Sequence, residues 1–350
     1  MSIWRRWATR DVTLPQSRVG LIILLGCMCA LGAVSVDIYL PSLPDVATDL
    51  NTSAATAQLT ITASLVGGGI GQLLVGPLSD LYGRRIPVLI GLLFHVAASI
   101  GISLSHSITL LIGLRVVMGV ANTSAAVVST AVVRDLYSGS QAARLLSQLM
   151  LVIGVAPLFA PAAGTWLAAV GGGWRFVFVC LAGLGAALWL LVLLRLPDTR
   201  PPAVRAGAKS LRQVFGSFGR ILKTDRGFLP LAVFPPVGNG VLMSWVIFSP
   251  FLVREVYGLQ AWHFAVVFAG GGTALVLGAQ LNAALVRRFR PVVLLRSAVP
   301  VQVLIAGAML ALALLAVGGL PGLLTTMFAI LFLGGLTSSN ATALAISRHG

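Results

Sequence analysis

Residues 57–104 read AQLTITASLVGGGIGQLLVGPLSDLYGRRIPVLIGLLFHVAASIGISL. Two apolar runs, 57–77 and 86–104, flank a short turn that ends in two arginines. An α-helix needs about 20 mostly apolar residues to cross the hydrocarbon core of a bilayer. The stretch therefore predicts two neighbouring membrane helices joined by a basic turn.

The same pattern continues in both directions along the chain. Of the 350 residues, 57% are hydrophobic and only 9% are charged, and the mean hydropathy is +0.97. Soluble domains carry about 25% charged residues, so a soluble fold could not bury this much apolar surface. We expect an all-α polytopic membrane protein. Its ten predicted spans cover residues 19–40, 57–77, 86–104, 107–130, 142–170, 174–196, 228–253, 263–286, 293–317 and 320–345.

The positions of the basic residues predict the orientation. The net charge is +15, and with a cytoplasmic N-terminus 21 of the 24 Lys and Arg fall in cytoplasmic segments. Arg175 and Arg254 lie in outer loops, and Arg115 lies within a span. This asymmetry follows the positive-inside rule, so the basic charge indicates membrane orientation rather than nucleic-acid binding. A cleaved signal peptide is the alternative for the first run, but Asp37 and the prolines after it do not form a small-residue cleavage site.

One long connection divides the chain. Residues 198–227 are basic, with apolar residues at helical spacing, which predicts a cytoplasmic linker containing an interfacial helix. A plain linker is the alternative. The linker separates an N-terminal six-helix bundle, residues 1–197, from residues 228–350, which hold four predicted spans. We expect this second bundle to be incomplete, with the chain truncated after the tenth span.

The turn in the opening stretch contains the most specific motif of the chain. Glycine permits a tight turn, and an aspartate at a helix end can bond to unpaired backbone amides. The segment Gly76-Pro77-Leu78-Ser79-Asp80-Leu81-Tyr82-Gly83-Arg84-Arg85 resembles the signature of the major facilitator superfamily. The resemblance implies two six-helix halves, and it implies that residues of this turn close a cytoplasmic gate. The expected gate residues are Gly76, Asp80, Gly83, Arg84 and Arg85.

The fifth predicted span contains glycines and prolines on one helical face. Gly154, Pro157, Pro161 and Gly164 are spaced by three, four and three residues. Glycine allows close helix contact and proline kinks a helix, so packing alone is one interpretation. The pattern is also similar to the antiporter motif of exporters in the same superfamily, with Ala156-Pro157 in place of the usual Gly-Pro. That resemblance favours export over uptake.

Two ionisable residues lie within the spans and predict the chemistry. A charge inside a membrane costs several kcal/mol unless it is paired or faces water. Asp37, late in the first span, and Arg115, early in the fourth, are expected at similar depth in the outer half, where they could share one cavity. Desolvation disfavours the charged form of a carboxylate and a nearby cation favours it, so Asp37 with Arg115 is the expected proton-coupling pair. A purely structural ion pair is the alternative.

The residues around this pair narrow the resemblance. Asp37-Ile38-Tyr39-Leu40-Pro41-Ser42-Leu43-Pro44 looks like the first-span signature of the Bcr/CflA-like (bicyclomycin resistance) drug:proton antiporters, and Arg134-Asp135-Leu136-Tyr137 and Trp174-Arg175 agree with it. Arg115 also resembles the arginine of a family motif, with Met118 where Gln is more usual. The resemblance implies a multidrug exporter that exchanges protons for amphipathic drugs by alternating access.

Other functions stay open at this stage. A proton-coupled nutrient symporter of the same fold is one alternative, and a non-transporting, truncated membrane protein is another. An enzyme is not expected, because the sequence has no nucleophile with a base, no metal cluster and no phosphate-binding loop, and no cofactor or metal is implied. We expect a monomer in the bacterial inner membrane, with membrane lipid, protons and a small amphipathic drug-like substrate as partners and no nucleic acid.

Overall fold

The computed structural model describes residues 18–199, 213, 216 and 228–347, and the regular elements within these residues are all helical. Each predicted span coincides with one long helix, so the predicted all-α fold class is confirmed. The elements are α1 (Arg18–Asp37), a 3₁₀ helix (Leu40–Ser42), α2 (Leu43–Asp49), α3 (Ala54–Tyr82), α4 (Arg85–Ser103), α5 (Ile108–Leu136), α6 (Gly139–Val170), α7 (Trp174–Arg195), α8 (Phe228–Phe251), a π-helical turn (Leu252–Val256), α9 (Ala261–Leu285), α10 (Pro291–Leu314) and α11 (Gly319–Ser347).

The helices have the length and surface of membrane spans. Nine stretches of the described residues, from Gly20–Asp49 to Gly319–Ser338, are long and apolar enough to cross a bilayer. Large apolar side chains are exposed on them, including Phe94, Leu151 and Leu304. Helices satisfy their backbone hydrogen bonds internally, which the hydrocarbon region requires. The chain is therefore a multi-span helical membrane protein.

The first span is interrupted where the sequence becomes rich in proline. Helix α1 ends at Asp37, a turn follows at Ile38 and Tyr39, and Pro41 lies at the start of the 3₁₀ helix. Proline lacks the amide hydrogen that a continuing helix needs and restricts the residue before it. Helix α1 therefore ends at Asp37, within the predicted span, while the apolar stretch long enough to cross a bilayer continues to Asp49.

The chain divides into two compact units, residues 1–217 and 218–350. In the first unit α5 packs against α1, α3 and α4, while α6 packs on α1 and α7 on α4. Its core includes the fully buried side chains of Met28, Leu92, Val128 and Val192. The predicted linker with its interfacial helix, residues 198–227, lies outside the described residues, apart from positions 198, 199, 213 and 216.

The second unit is built around α11. This helix packs against α8, α9 and α10. Trp245 of α8 lies against two phenylalanines, with ring centroids 6.3 Å from Phe268 and 6.2 Å from Phe328. Asn340 of α11 donates a 2.6 Å hydrogen bond to the side-chain oxygen of Asn282 of α9. Aromatic packing and a buried amide pair thus hold this unit together.

Each unit contains one pair of helices that cross at two glycines, and each glycine lies against the backbone of the other helix. Between α3 and α5, a Cβ on Gly67 would lie 2.1 Å from the Val116 carbonyl oxygen, and one on Gly119 would lie 2.1 Å from that of Ser64. Each glycine faces the carbonyl three residues before the other glycine. Only glycine permits so close an approach of two helix backbones.

The α9 and α11 helices repeat this contact in the second unit. A Cβ on Gly278 would lie 1.9 Å from the Phe332 oxygen, and one on Gly335 would lie 2.1 Å from the Leu275 oxygen. The offset of three residues is the same. The two units therefore share a repeated helix contact.

Candidate functional site

Arg115 lies at the centre of the first unit and is fully buried. Its Nη1 donates to the Ser35 carbonyl of α1 at 3.1 Å, and its Nε donates to the Thr60 carbonyl of α3 at 3.4 Å. Nη1 also lies 3.7 Å from the sulfur of Met118. The guanidinium therefore joins α5 to α1 and α3 through backbone oxygens.

Two aromatic rings complete the surroundings of this guanidinium. The Arg115 Cζ lies 4.7 Å from the ring centroid of Tyr39 and 5.7 Å from that of Phe178 on α7. The two rings lie 5.1 Å apart at 59°. Within the described residues, Nη2 of Arg115 is buried and has no hydrogen-bond partner. Cation–π attraction thus replaces part of the hydration that Arg115 would have in water.

Asp37 is also buried, with 6% of its surface exposed. Within residues 18–199 it has no ion-pair partner, so Asp37 and Arg115 do not form a salt bridge in this structure. Arg115 instead binds the carbonyl of Ser35, two residues before Asp37. Both residues of the predicted pair are therefore buried, and Arg115 binds α1 two residues before Asp37, but their charges are not in contact.

The predicted gate residues take part in an ion-pair network that joins the ends of α3 and α5. Gly83 ends α3 with a φ of 89°, a conformation that favours glycine. The Arg84 side chain then contacts Asp80 at 2.8 Å and Asp135, at the end of α5, at 2.8 Å. Arg85 donates to the carbonyl of Leu193 on α7. Burial lowers the pKa of Arg84, whereas hydrogen bonds and charge attraction from Asp135 and Asp80 raise it. The second effect is larger, so the pKa of Arg84 lies above its ordinary value.

The network includes residues that the sequence did not predict as partners. Ser79 accepts from Arg84 Nη1 at 2.8 Å. Asp198 accepts from the Arg84 backbone amide at 3.1 Å, and the Thr199 hydroxyl donates to Asp135 at 2.8 Å. Asp135 was recognisable in the sequence as an acid at the end of the fourth predicted span, on the same predicted side of the membrane as the basic turn. The contacts of Asp198 and Thr199 depend on tertiary folding and leave no such signal.

The antiporter motif of α6 divides into a packed end and an open end. Pro161 and Gly164 are buried, and a Cβ on Gly164 would lie 1.8 Å from the carbonyl oxygen of Ile38. Gly154 is exposed with no atom within 4 Å of such a Cβ, and Pro157 is partly buried. The packed end therefore contacts α1 at the residue that follows Asp37.

The remaining polar contacts in this unit join neighbouring helices. His95 of α4 lies 2.8 Å from the Asn122 side-chain oxygen and 3.2 Å from the Leu181 carbonyl. At the end of α2 and the start of α7, Asp49 accepts from the indole of Trp174 at 3.2 Å and pairs with Arg175 at 2.5 Å. Both of these groups connect separate elements, as expected of residues that stabilise packing.

The sequence matches a family profile over almost its whole length. Residues 23–350 match the profile described as Major Facilitator Superfamily. The chain belongs to the major facilitator superfamily. Members of this superfamily are transporters rather than enzymes, which agrees with the absence of catalytic motifs in the sequence.

Curated major facilitator relatives support the predicted kinship with the Bcr/CflA-like group. The chain is 34% identical over 340 residues to the uncharacterized MFS-type transporter YdgK of Bacillus subtilis, covering 96% of this chain and 83% of that protein. It is 32% identical over 356 residues to a chloramphenicol resistance protein of Pseudomonas aeruginosa, covering 98% and 79%. A bicyclomycin resistance protein homolog of Haemophilus influenzae is 28% identical over 331 residues, covering 93% and 81%. These matches confirm the resemblance that the motifs predicted.

Solved major facilitator structures share the fold. A bacterial homolog of the human lysosomal transporter Spinster, in an inward-facing and occupied conformation, has a TM-score of 0.70 at 18% identity, covering 95% of this chain and 77% of that chain. A D-xylose-proton symporter has a TM-score of 0.65 at 16% identity, covering 94% and 85%. At this level of identity the likeness concerns the fold alone.

Proposed function

We propose that this chain exports small amphipathic molecules across the bacterial inner membrane in exchange for protons. One observation carries the proposal: Asp37 is a buried carboxylate at the broken end of α1, without an ion-pair partner among residues 18–199. A charged group inside a membrane protein is expensive unless paired or wetted, and such residues mark ion and proton pathways. The named relatives include resistance proteins for chloramphenicol and bicyclomycin, which supports drug-like substrates.

Proton binding at Asp37 changes the charge next to two close contacts between helices. The residue after it, Ile38, contacts Gly164 of α6, and Ser35 before it receives the hydrogen bond of Arg115. A charge gained or lost here alters the stability of these contacts, because burial makes the two charge states differ strongly in free energy. Asp37 is therefore the proposed proton carrier, and Arg115 is a nearby positive charge that does not change during the cycle.

Protons entering from outside would provide the driving force for export. In the proposed cycle Asp37 takes up a proton from the outer side and releases it to the cytoplasm, while the drug moves outward by alternating access. The membrane potential contributes about 2.3 kcal/mol per charge per 100 mV, in addition to the pH gradient. This direction requires the N-terminus to lie in the cytoplasm, as the positions of the basic residues predict.

The gate network belongs to this cycle at the cytoplasmic side. Arg84 joins the end of α3 to the end of α5 through Asp80 and Asp135. We propose that the network keeps these inner ends together as one block, so that the opening of the cytoplasmic gate moves the first unit as a rigid body. The same role is implied by the resemblance of residues 76–85 to the superfamily signature.

The test measures drug and proton movement in proteoliposomes that contain the wild-type chain or Asp37→Asn. We expect Asp37→Asn to insert normally but to lose drug movement driven by a pH gradient. The exposed carboxylate of Asp45 on α2 provides a matched control, Asp45→Asn, which should keep it. Unchanged transport in Asp37→Asn would refute the proposed role of Asp37. Drug movement in the same direction as protons would indicate a symporter instead.

A further inference from the structure

Four helices of the first unit meet at one guanidinium. We define the Arg115 cage as Arg115 with the groups that surround it: the Ser35 carbonyl and the Tyr39 ring from α1 and its following turn, Thr60 from α3, and the Phe178 ring from α7. Among the described residues no carboxylate belongs to the cage. The positive charge is therefore held by ring faces and backbone oxygens.

Of the groups that surround Arg115, Tyr39 makes the most contacts within the cage: with Arg115, Phe178 and Thr60. It is fully buried and lies in the turn two residues after Asp37. Its ring centroid is 4.7 Å from the Arg115 Cζ, and its hydroxyl is 3.4 Å from the Thr60 hydroxyl. Thr60 in turn accepts from Arg115 Nε through its carbonyl. Tyr39 thus contacts the guanidinium directly and also contacts the residue that binds it.

The ring is the part of Tyr39 that matters for the charge. The negative face of an aromatic ring attracts a guanidinium, and the attraction is stronger in a desolvated site than at a surface. The hydroxyl adds one long contact to Thr60, which already has its own carbonyl partner at Ala57, 2.6 Å away. A ring without a hydroxyl should therefore keep the cage, whereas an aliphatic side chain of similar size should not.

We propose that Tyr39 is a positioning residue for proton coupling: its ring holds Arg115 on the Ser35 carbonyl and away from the Asp37 carboxylate. This inference rests on the proposed function, in which Asp37 carries the proton. If the ring is removed, the guanidinium is free to turn from the Ser35 carbonyl toward the carboxylate of Asp37, two residues further along the chain. Pairing with a cation favours the charged form of a carboxylate, so the pH at which Asp37 binds its proton during transport would fall.

His95 is the other group that could change charge near the cage. The buried Asp, His and Arg side chains of residues 18–199 are Asp37, Arg84, Arg85, His95 and Arg115. Arg84 and Arg85 make their contacts with Asp80, Asp135 and Leu193 in the network at the end of α3. Both ring nitrogens of His95 have partners, Asn122 and the Leu181 carbonyl. His95→Gln removes its titration while retaining an amide for these contacts.

The first experiment measures the pH dependence of drug transport in proteoliposomes. We expect Tyr39→Phe to keep the wild-type midpoint and Tyr39→Leu to move it to lower pH by about one unit or more. Phe264→Leu is the matched control, because Phe264 is a fully buried ring of the second unit that packs on Phe268. An unmoved midpoint in Tyr39→Leu, or an equal shift in Phe264→Leu, would overturn the inference. So would loss of the shift in a His95→Gln background.

The second experiment follows Arg115 itself and does not depend on transport. In detergent-solubilised protein labelled with ¹⁵N-arginine, the Nε–H resonance of Arg115 is identified by its loss in Arg115→Lys. We expect slow exchange of this proton with solvent in the wild type and in Tyr39→Phe, and at least tenfold faster exchange in Tyr39→Leu. Equal protection in Tyr39→Leu would overturn the cage. If the wild-type protein shows no pH-driven transport, the proposed function is refuted. The exchange rates would still show whether the Tyr39 ring holds Arg115 in place.

Discussion

Gly164→Ala tests the contact between α6 and the broken end of α1. A Cβ at position 164 would lie 1.8 Å from the carbonyl oxygen and 2.8 Å from the carbonyl carbon of Ile38. To reach even 3.0 Å, the two backbones must separate by 3.0 − 1.8 = 1.2 Å. Both neighbours are backbone, so no side chain can rotate out of the way. Overpacking of this kind costs roughly 1–3 kcal/mol.

Gly154→Ala on the same helix is the matched control. No atom lies within 4 Å of a Cβ at position 154. Alanine favours a helix over glycine by about 1 kcal/mol at either position, so this gain cancels when the two variants are compared. The difference in unfolding free energy between Gly164→Ala and Gly154→Ala therefore isolates the steric contact at Ile38.

The assay is reversible unfolding in mixed detergent, followed by tryptophan fluorescence. We expect Gly154→Ala to be as stable as the wild type or slightly more stable, and Gly164→Ala to be less stable than Gly154→Ala by roughly 1–3 kcal/mol. Because Ile38 follows Asp37 directly, Gly164→Ala should also slow pH-driven transport. Equal stability of the two variants would show that α6 does not approach Ile38 this closely.

Two further predictions concern the ion-pair network and the second unit. Arg84→Gln removes the pairs to Asp80 and Asp135 and should lower the unfolding free energy by roughly 1–3 kcal/mol, because the guanidinium is mostly buried but its partners are partly exposed. An unchanged melting temperature of Arg84→Gln would contradict this expected loss of stability. Asn340→Ala leaves the side-chain oxygen of Asn282 without its donor and should cost about 0.6–1.7 kcal/mol; no loss in detergent unfolding would argue against the amide pair.

The helices were predictable because each must be long and apolar to cross a bilayer. Their ends were less predictable where a local feature decides them. Helix α1 ends at Asp37, before Pro41 and Pro44, rather than at residue 40. Helix α5 continues to Leu136, six residues beyond the predicted end, because its last turn lies past the apolar run and is stabilised through Asp135. Hydropathy marks the membrane-spanning part of a helix and not its polar end.

The residues of the candidate site were predictable by type, but their partners were not. An acid and a base inside apolar runs are visible in any sequence, and Asp37 and Arg115 were found in this way. The partner of Arg115 is a backbone carbonyl of Ser35, and a carbonyl is present at every residue. Tyr39 and Phe178 come from distant parts of the chain. A hydrogen bond to a backbone carbonyl and a contact between residues far apart in sequence leave no pattern in a single sequence. Only the structure shows them.

The reciprocal glycines allow the two units to be compared residue by residue. Arg115 lies four residues before Gly119, and Leu331 lies four residues before Gly335. Thr60 lies seven residues before Gly67, and Gly271 lies seven before Gly278. In the second unit the side chains nearest to Gly271 are those of Leu331 and Trp245.

The same backbone frame thus encloses a guanidinium in the first unit and an apolar cluster in the second. Leu331 is buried, and the charged residues described within 240–338 lie near helix ends or in turns, as Arg254 and Arg287 do. Close glycine contacts fix how the helices cross, and they place no condition on the side chain one turn earlier. The second unit can therefore keep the packing without the charge. The buried acid and base on adjoining helices of the first unit support the proposal that the proton chemistry takes place there.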